Sequence, residues 1–142
     1  MTGTTHFAVA ILAAAALHPF ELPTIAGIAV GGILPDIDSR HSTLGRLVPI
    51  IPDLIKHRTW THTLWLAVLL GVLWPPLGLG CILHILMDSI TVDGISPLWP
   101  CAWKVRLPVA VRTGGIIDRL LGVCCWLGTA WIYLVRLGVC PP

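Results

Sequence analysis

Three short motifs that interrupt long apolar runs carry ionisable residues suited to metal chemistry. Charged or titratable side chains beside such runs are costly to desolvate, and proteins keep them mainly for function. Imidazole and carboxylate groups bind zinc, manganese and iron in proteins. A divalent metal site is therefore the leading interpretation. The residues are Asp36 and Asp38 in LPDID, His57 and His62 in HRTWTH, and His84 and Asp88 in HILMD.

The spacing within the motifs agrees with shared ligation. His84 and Asp88 are four residues apart, so a helix would place both on one face. Asp36 and Asp38 are two residues apart, a spacing that lets both carboxylates point the same way from an extended turn. Two metal-free interpretations stay open. The aspartates could cap a turn, and the His84 and Asp88 pair could form a hydrogen bond between helices.

The elements that must position these residues are apolar helices. The chain has 142 residues, of which 56% are hydrophobic and only 11% charged, and its mean hydropathy is +0.86. Soluble domains average about 25% charged residues, so we predict one all-α membrane domain over residues 1–142. Runs without Asp, Glu, Lys or Arg mark about five short transmembrane helices: Met1 to Phe20, Leu22 to Pro35, Thr63 to Trp74, Pro76 to Met87, and Leu120 to Val135.

Charge distribution predicts the topology of this helical bundle. Pro75 and Pro76 would break one long central span, so we expect a tight helical hairpin there. With five spans, the two basic loops at residues 36–62 and 93–119 both face the cytoplasm, as the positive-inside rule requires. The apolar start of the chain lacks the basic residues of a secretory signal and is expected to be a retained helix.

This topology brings His6, near the cytoplasmic start of the first span, to the depth of the three motifs. His57 and His62 are five residues apart, which a helix would separate by about 140°, so His57 should precede the helix. The candidates then exceed the four ligands of tetrahedral zinc, and we predict one or two ions, with zinc or manganese foremost. The predicted metal ligands are His6, Asp36, Asp38, His57, His62, His84 and Asp88.

The predicted chemistry is hydrolysis. Two metals about 4 Å apart can generate hydroxide from water and hold both reacting oxygens of a phosphoester. Arg58, and less directly Arg46, could neutralise phosphate charge through bidentate contacts. We predict membrane lipid and an amphiphilic substrate as partners. The net charge of +2 is too small for a nucleic-acid surface, and the five cysteines form no CxxC pair.

The ordered motifs resemble the YdjM-like family of bacterial inner-membrane proteins, described as metal-dependent hydrolases. The resemblance covers most of the chain and implies a multi-pass enzyme of the bacterial inner (cytoplasmic) membrane. Asp118 stands where the family often has a glutamate. The matching motifs are Thr5-His6, Gly31 to Asp38, Ser42 to Arg46, His57 to Leu64, His84 to Thr91, Gly94 to Pro100, and Arg112 to Gly115.

Two other classes of function use the same residues. Acids and histidines could line an ion or proton path, although such a path should cross the membrane and only His18 and Glu21 lie at the far face. Alternatively, a metal could stabilise a membrane interaction or regulatory module without catalysis. Oligomeric state has no signature in the sequence.

Overall fold

This computed structural model of the chain describes residues 1–108 and 110–141. Among the described residues the regular secondary structure is helical, without a β-strand, as the sequence predicts. Short 3-10 turns lie at Leu34–Asp38 and Trp60–His62. The α-helices are α1 (Gly3–Leu17), α2 (Leu22–Ile33), α3 (Thr43–Leu47), α4 (Ile51–Leu54), α5 (Leu64–Leu73), α6 (Pro75–Ser89) and α7 (Ile116–Arg136).

Local sequence signals set the helix boundaries. Thr2 caps α1, where its side chain accepts a hydrogen bond from the Thr5 amide, and Thr63 caps α5 in the same way. α6 begins directly on Pro75 and Pro76, whose missing N–H groups cost nothing in a first helical turn. The prolines therefore separate α5 from α6 by one residue, which produces the expected hairpin.

Glycines let α2 and α6 pack with their backbones almost in contact. A Cβ atom on Gly31 would lie 2.1 Å from the Leu77 carbonyl oxygen, and one on Gly80 would lie 2.2 Å from the Ile28 carbonyl oxygen. Small residues at such crossings permit the close approach typical of membrane helix pairs. The result is a rigid α2–α6 pair whose ends carry candidate ligands.

The five longer helices form a row in which each packs against the next. α5 contacts α6, α6 contacts α2, α2 contacts α1, and α1 contacts α7. On α1, Ala8, Ala10 and Ala14 are fully buried, and Gly122 of α7 packs over Thr5. α1, α2 and α6 thus occupy the middle of the row, and α5 and α7 form its edges.

The edge helices expose apolar side chains. Val72 on α5 is 79% exposed and Ile116 on α7 is 78% exposed. Large exposed apolar patches of this kind mark membrane or protein contacts. Among the described residues, only α7, with 21 residues, is long and apolar enough to cross a membrane on its own. α1, α2, α5 and α6 coincide in position with the predicted spans but have 15, 12, 10 and 15 residues.

Candidate metal centre

The predicted ligands come from four separate segments that meet where α1, α2 and α6 pack together. α1 contributes His6 in its first turns, and α6 contributes His84 and Asp88 in its last turns. The 3-10 turn after α2 contributes Asp36 and Asp38, because Pro35 starts a tight turn there. The segment before α5 contributes His57 and His62, and His57 precedes the short 3-10 turn as expected.

Two of these residues, His62 and His84, face each other, and a carboxylate oxygen from each of two others lies beside both imidazoles. His62 Nε2 lies 3.2 Å from His84 Nε2 and 3.8 Å from Asp36 Oδ1. His84 Nε2 lies 3.6 Å from the same Asp36 oxygen. Asp88 Oδ2 is 3.6 Å from His62 Nε2 and 3.9 Å from His84 Nε2. Tetrahedral ligands about 2.1 Å from zinc are about 3.4 Å apart, so this spacing fits a metal. We call Asp36, His62, His84 and Asp88 the central ligands.

Hydrogen bonds at Nδ1 orient the central imidazoles so that their Nε2 atoms face each other, and in two neutral rings with protonated Nδ1 atoms these Nε2 atoms carry lone pairs. His84 Nδ1 donates to the Gly32 carbonyl at 2.8 Å. His62 Nδ1 lies 2.9 Å from Thr61 Oγ1, whose hydroxyl in turn donates to Asp38. Two lone pairs 3.2 Å apart repel each other unless a cation lies between them. The donor set therefore fits a bound metal better than a purely protein hydrogen-bond network.

Asp38 lies behind the central ligands and holds other residues in place. Its Oδ1 accepts a hydrogen bond from His57 Nδ1 at 2.7 Å. Its Oδ2 accepts from the Arg58 amide at 3.0 Å and from the Thr61 hydroxyl. Both oxygens are occupied by protein donors, and the residue is 2% exposed. The sequence predicts that Asp38 binds metal directly. The observed geometry instead suits a carboxylate that orients histidine ligands.

The two carboxylates of the turn have opposite electrostatic environments. Burial raises the pKa of Asp36, and nearby His6 and His62 only partly oppose that effect. Burial would also raise the pKa of Asp38, but hydrogen bonds from His57, His62 and Thr61 outweigh it and hold that pKa below its usual range. Asp36 therefore lacks a strong partner for its negative charge, and a cation would supply one.

His6 and His57 flank the central ligands on two sides. The His6 ring stacks on His84 at 3.7 Å between centroids, and its Nε2 lies 3.1 Å from Asp88 Oδ1. The buried His6 Nδ1 has no hydrogen-bond partner. His57 is 42% exposed at its side chain. Three overlapping groups keep their ligand atoms within 4.8 Å: His6, Asp36 and His84; Asp36, His57 and His62; and His62, His84 and Asp88.

The two predicted arginines occupy different places. Arg58 adopts a positive φ of 63° and directs its guanidinium to Asp88 at 3.4 Å and to Asp93 at 3.0 Å. Arg46 is exposed and donates to the His41 carbonyl at 2.9 Å. Only Arg58 therefore contacts a central ligand.

Sequence reasoning missed three residues that support the centre. Thr61 links His62 to Asp38, and Asp93 holds Arg58. Asp118, which is fully buried, accepts hydrogen bonds from the Thr2 amide at 3.0 Å and from the Gly114 amide at 2.7 Å. It thereby fixes the start of α1, on which His6 lies. An acid in the first turn of an apolar helix was the available signal, but such acids usually just complement the helix dipole.

A cleft of about 400 Å³ gives access to the centre. Asp36, His57, Arg58 and Asp88 line it together with Asp93. Its walls thus offer central ligands and a guanidinium to the same space, which is the arrangement needed to bind an anion beside a metal.

Comparisons with known proteins agree with the motif resemblance. The chain is 32% identical to the uncharacterized protein YvsG of Bacillus subtilis, over 85% of this chain and 87% of that protein. It is also 32% identical to the inner membrane protein YdjM of Escherichia coli, over 70% of this chain but 61% of that longer protein, and equally to YdjM of Shigella flexneri. No solved structure matches. The YdjM inner membrane protein model matches residues 1–140, and the chain therefore belongs to this family of inner-membrane proteins.

Proposed function

We propose that the chain is a metal-dependent hydrolase embedded in the inner membrane, acting on a phosphoester or lipid-like substrate near the cytoplasmic face. The observation that carries the proposal is the convergence of Asp36 and Asp88 on the facing His62 and His84 imidazoles, at distances of 3.2–3.9 Å, beside an open cleft. Purely structural metal sites are usually closed by their ligands, whereas catalytic sites stay open to water and substrate.

Zinc or manganese is the metal that we propose, as one ion or two. Mixed imidazole and carboxylate ligands suit both metals. Cys81, the cysteine closest in sequence to His84, lies in an apolar cluster with Ala67 and Ile85. A divalent ion bound there would polarise a phosphoryl oxygen and lower the pKa of water.

The protein residues around the cleft support phosphoester hydrolysis. Arg58 lines the cleft with an 18% exposed side chain, so its guanidinium can donate to a phosphoryl oxygen there. In the proposed reaction, a water oxygen forms a new bond to phosphorus as the bond to the leaving oxygen breaks. One proton of water goes to a basic group in the cleft, for which exposed His57 is available, and the leaving oxygen takes up a proton.

The proposed topology has five short transmembrane helices with the metal centre toward the cytoplasm. The exposed apolar faces of α5 and α7 support a lipid environment on both edges of the helix row. The two basic loops support a cytoplasmic position for the residues that flank the centre. Membrane lipid is then the surrounding medium as well as a source of amphiphilic substrate.

Metal analysis combined with phosphatase assays tests the proposal. The full chain would be purified into phosphatidylcholine nanodiscs, and its metal content measured by mass spectrometry. Hydrolysis would be followed for phosphoesters from soluble p-nitrophenyl phosphate to phosphatidic acid. We expect bound zinc or manganese and hydrolysis of an amphiphilic member. His84→Ala should abolish both, whereas His18→Ala, at an exposed histidine paired with Glu21, should preserve both.

Other outcomes would favour the alternative functions. Ion flux into liposomes that persists in His84→Ala would indicate transport and contradict the hydrolase. Stoichiometric metal without hydrolysis of any phosphoester, together with unfolding on metal removal, would indicate an interaction or regulatory module instead.

A further inference from the structure

Two further cavities adjoin the cleft, and their linings differ in chemical character. The first, of about 270 Å³, is apolar and lies between α1, α3 and α7. Phe7, Ile33, Leu44 and Trp126 line it. We call it the apolar cavity. Its position at the α1–α7 contact brings it to the apolar edge of the helix row.

The apolar cavity adjoins the cleft at the metal centre. Gly3, Asp36 and Ser42 line both spaces. Asp36 is a central ligand, so a chain lying in the apolar cavity would end beside the proposed metal. An apolar space beside a hydrolytic centre fits the hydrocarbon part of an amphiphile, because burial of each methylene is favourable.

The second cavity, of about 450 Å³, lies on the other side of the cleft and is cationic. Lys56, Arg58 and Lys104 line it, against a single acidic residue, Asp93. We call it the cationic cavity. His57, Arg58 and Asp93 line both the cleft and this cavity, so the two spaces also adjoin.

We propose that the substrate carries a second anionic group beyond the scissile phosphoester, bound by Lys56 and Lys104 in the cationic cavity, while its hydrocarbon chain occupies the apolar cavity. The inference rests on the proposed hydrolase function and assigns the substrate class: a single chain joined through phosphate to a further phosphate or carboxylate. Two lysines and one arginine facing a single aspartate leave a net positive charge that such a group would neutralise.

The order of the apolar cavity, the cleft and the cationic cavity sets the orientation of the bound substrate. The chain enters beside α1 and α7, the ester linkage reaches Asp36 and Asp88, and the second anion extends past Arg58 toward Lys104. An uncharged head group would bury no counter-charge in the cationic cavity and would leave the lysines without a ligand. The arrangement therefore selects for charge at the polar end.

Binding of two non-hydrolysable probes tests this inference independently of turnover. Dodecylphosphonate and a dodecyl diphosphonate with methylene bridges would be titrated against metal-loaded protein in phosphatidylcholine nanodiscs. We expect the diphosphonate to bind about tenfold more tightly or better. Lys56→Gln/Lys104→Gln should remove that preference. Arg112→Gln/Arg119→Gln removes two exposed charges that line none of the three spaces, and should leave it unchanged.

Chain binding is tested by filling the apolar cavity. Leu44→Trp should weaken binding of dodecylphosphonate but not of ethylphosphonate, whereas Leu120→Trp on the exposed face of α7 should change neither. Equal binding of both diphosphonate and monophosphonate, or an unchanged preference in the double lysine variant, would overturn the inference. Selective diphosphonate binding without hydrolysis of any phosphoester would overturn the proposed function and leave the substrate-binding inference standing.

Discussion

Replacing either aspartate of the 3-10 turn by asparagine should weaken metal binding, but to a different extent for each residue. Asp36 directs Oδ1 toward His62 and His84, whereas both carboxylate oxygens of Asp38 accept hydrogen bonds from protein donors. Asp36→Asn removes a charged ligand and should abolish stoichiometric metal. Asp38→Asn should retain the metal at lower affinity, because only the orientation of the histidines is disturbed.

The magnitude for Asp38→Asn follows from its contacts. An asparagine keeps one acceptor oxygen, so its amide NH₂ must face either His57 Nδ1 or the donors Arg58 N and Thr61 Oγ1. At least one charge-assisted hydrogen bond is lost in either orientation, which costs about 1.5–3 kcal/mol. That agrees with the 10- to 100-fold loss of metal affinity, about 1.4–2.8 kcal/mol, usual for groups that orient ligands.

The assay is competition for zinc between nanodisc-embedded protein and a chelator of known affinity, with metal content measured after gel filtration. A second readout is heat stability of the metal-free protein. Because burial disfavours the ionised form of Asp36, Asp36→Asn should raise metal-free stability at neutral pH, and Asp38→Asn should lower it. Stoichiometric zinc in Asp36→Asn, with none in Asp38→Asn, would refute the assignment of roles.

Three further predictions concern packing and the metal. Gly80→Ala should destabilise the fold by about 1–3 kcal/mol, because its Cβ would meet the Ile28 carbonyl at 2.2 Å, whereas Gly71→Ala, with 3.6 Å to its nearest neighbour, should be nearly neutral in thermal denaturation. Asp118→Ala leaves two amides unpaired and should cost about 1–3 kcal/mol in the same measurement, with Asp118→Asn retaining part of that stability. A chelator should lower the melting temperature of the wild-type chain, by an amount corresponding to about 2.7 kcal/mol where the metal had been present at 100 times its Kd, and should not change that of His84→Ala; equal shifts in both would contradict a metal at the centre.

The positions of the helices were predictable because desolvation dominates an apolar chain. Runs without charged residues had to become helices, and the adjacent Pro75 and Pro76 could only begin a new one. Placing both basic loops on the cytoplasmic side predicted that His6 lies at the same membrane depth as the other histidines. In the structure, the His6 ring stacks on His84. The length of each helix was less accessible, since it depends on caps and turns such as Thr63 and the tight turn at Pro35.

The sequence spacing could not show which site residues are placed to bind a metal and which orient their neighbours. The spacing of two residues predicts that Asp36 and Asp38 lie close together. It does not show that His57 and Thr61 donate hydrogen bonds to the two carboxylate oxygens of Asp38. Arg46 and Arg58 look equivalent as loop cations, yet only Arg58 reaches a central ligand. Long-range contacts decide these roles, and no local pattern encodes them.

The helices at the two edges of the row differ about twofold in length, and in the proposed topology the surrounding bilayer has to accommodate that difference. At 1.5 Å per residue, α7 with 21 residues is about 31 Å long, whereas α5 at the opposite edge, with 10 residues, is about 15 Å long. In the proposed topology, hydrocarbon thickness therefore decreases from the α7 edge to the α5 edge. The protein would deform lipid asymmetrically and should prefer membranes of short or disordered acyl chains, where that deformation is least costly.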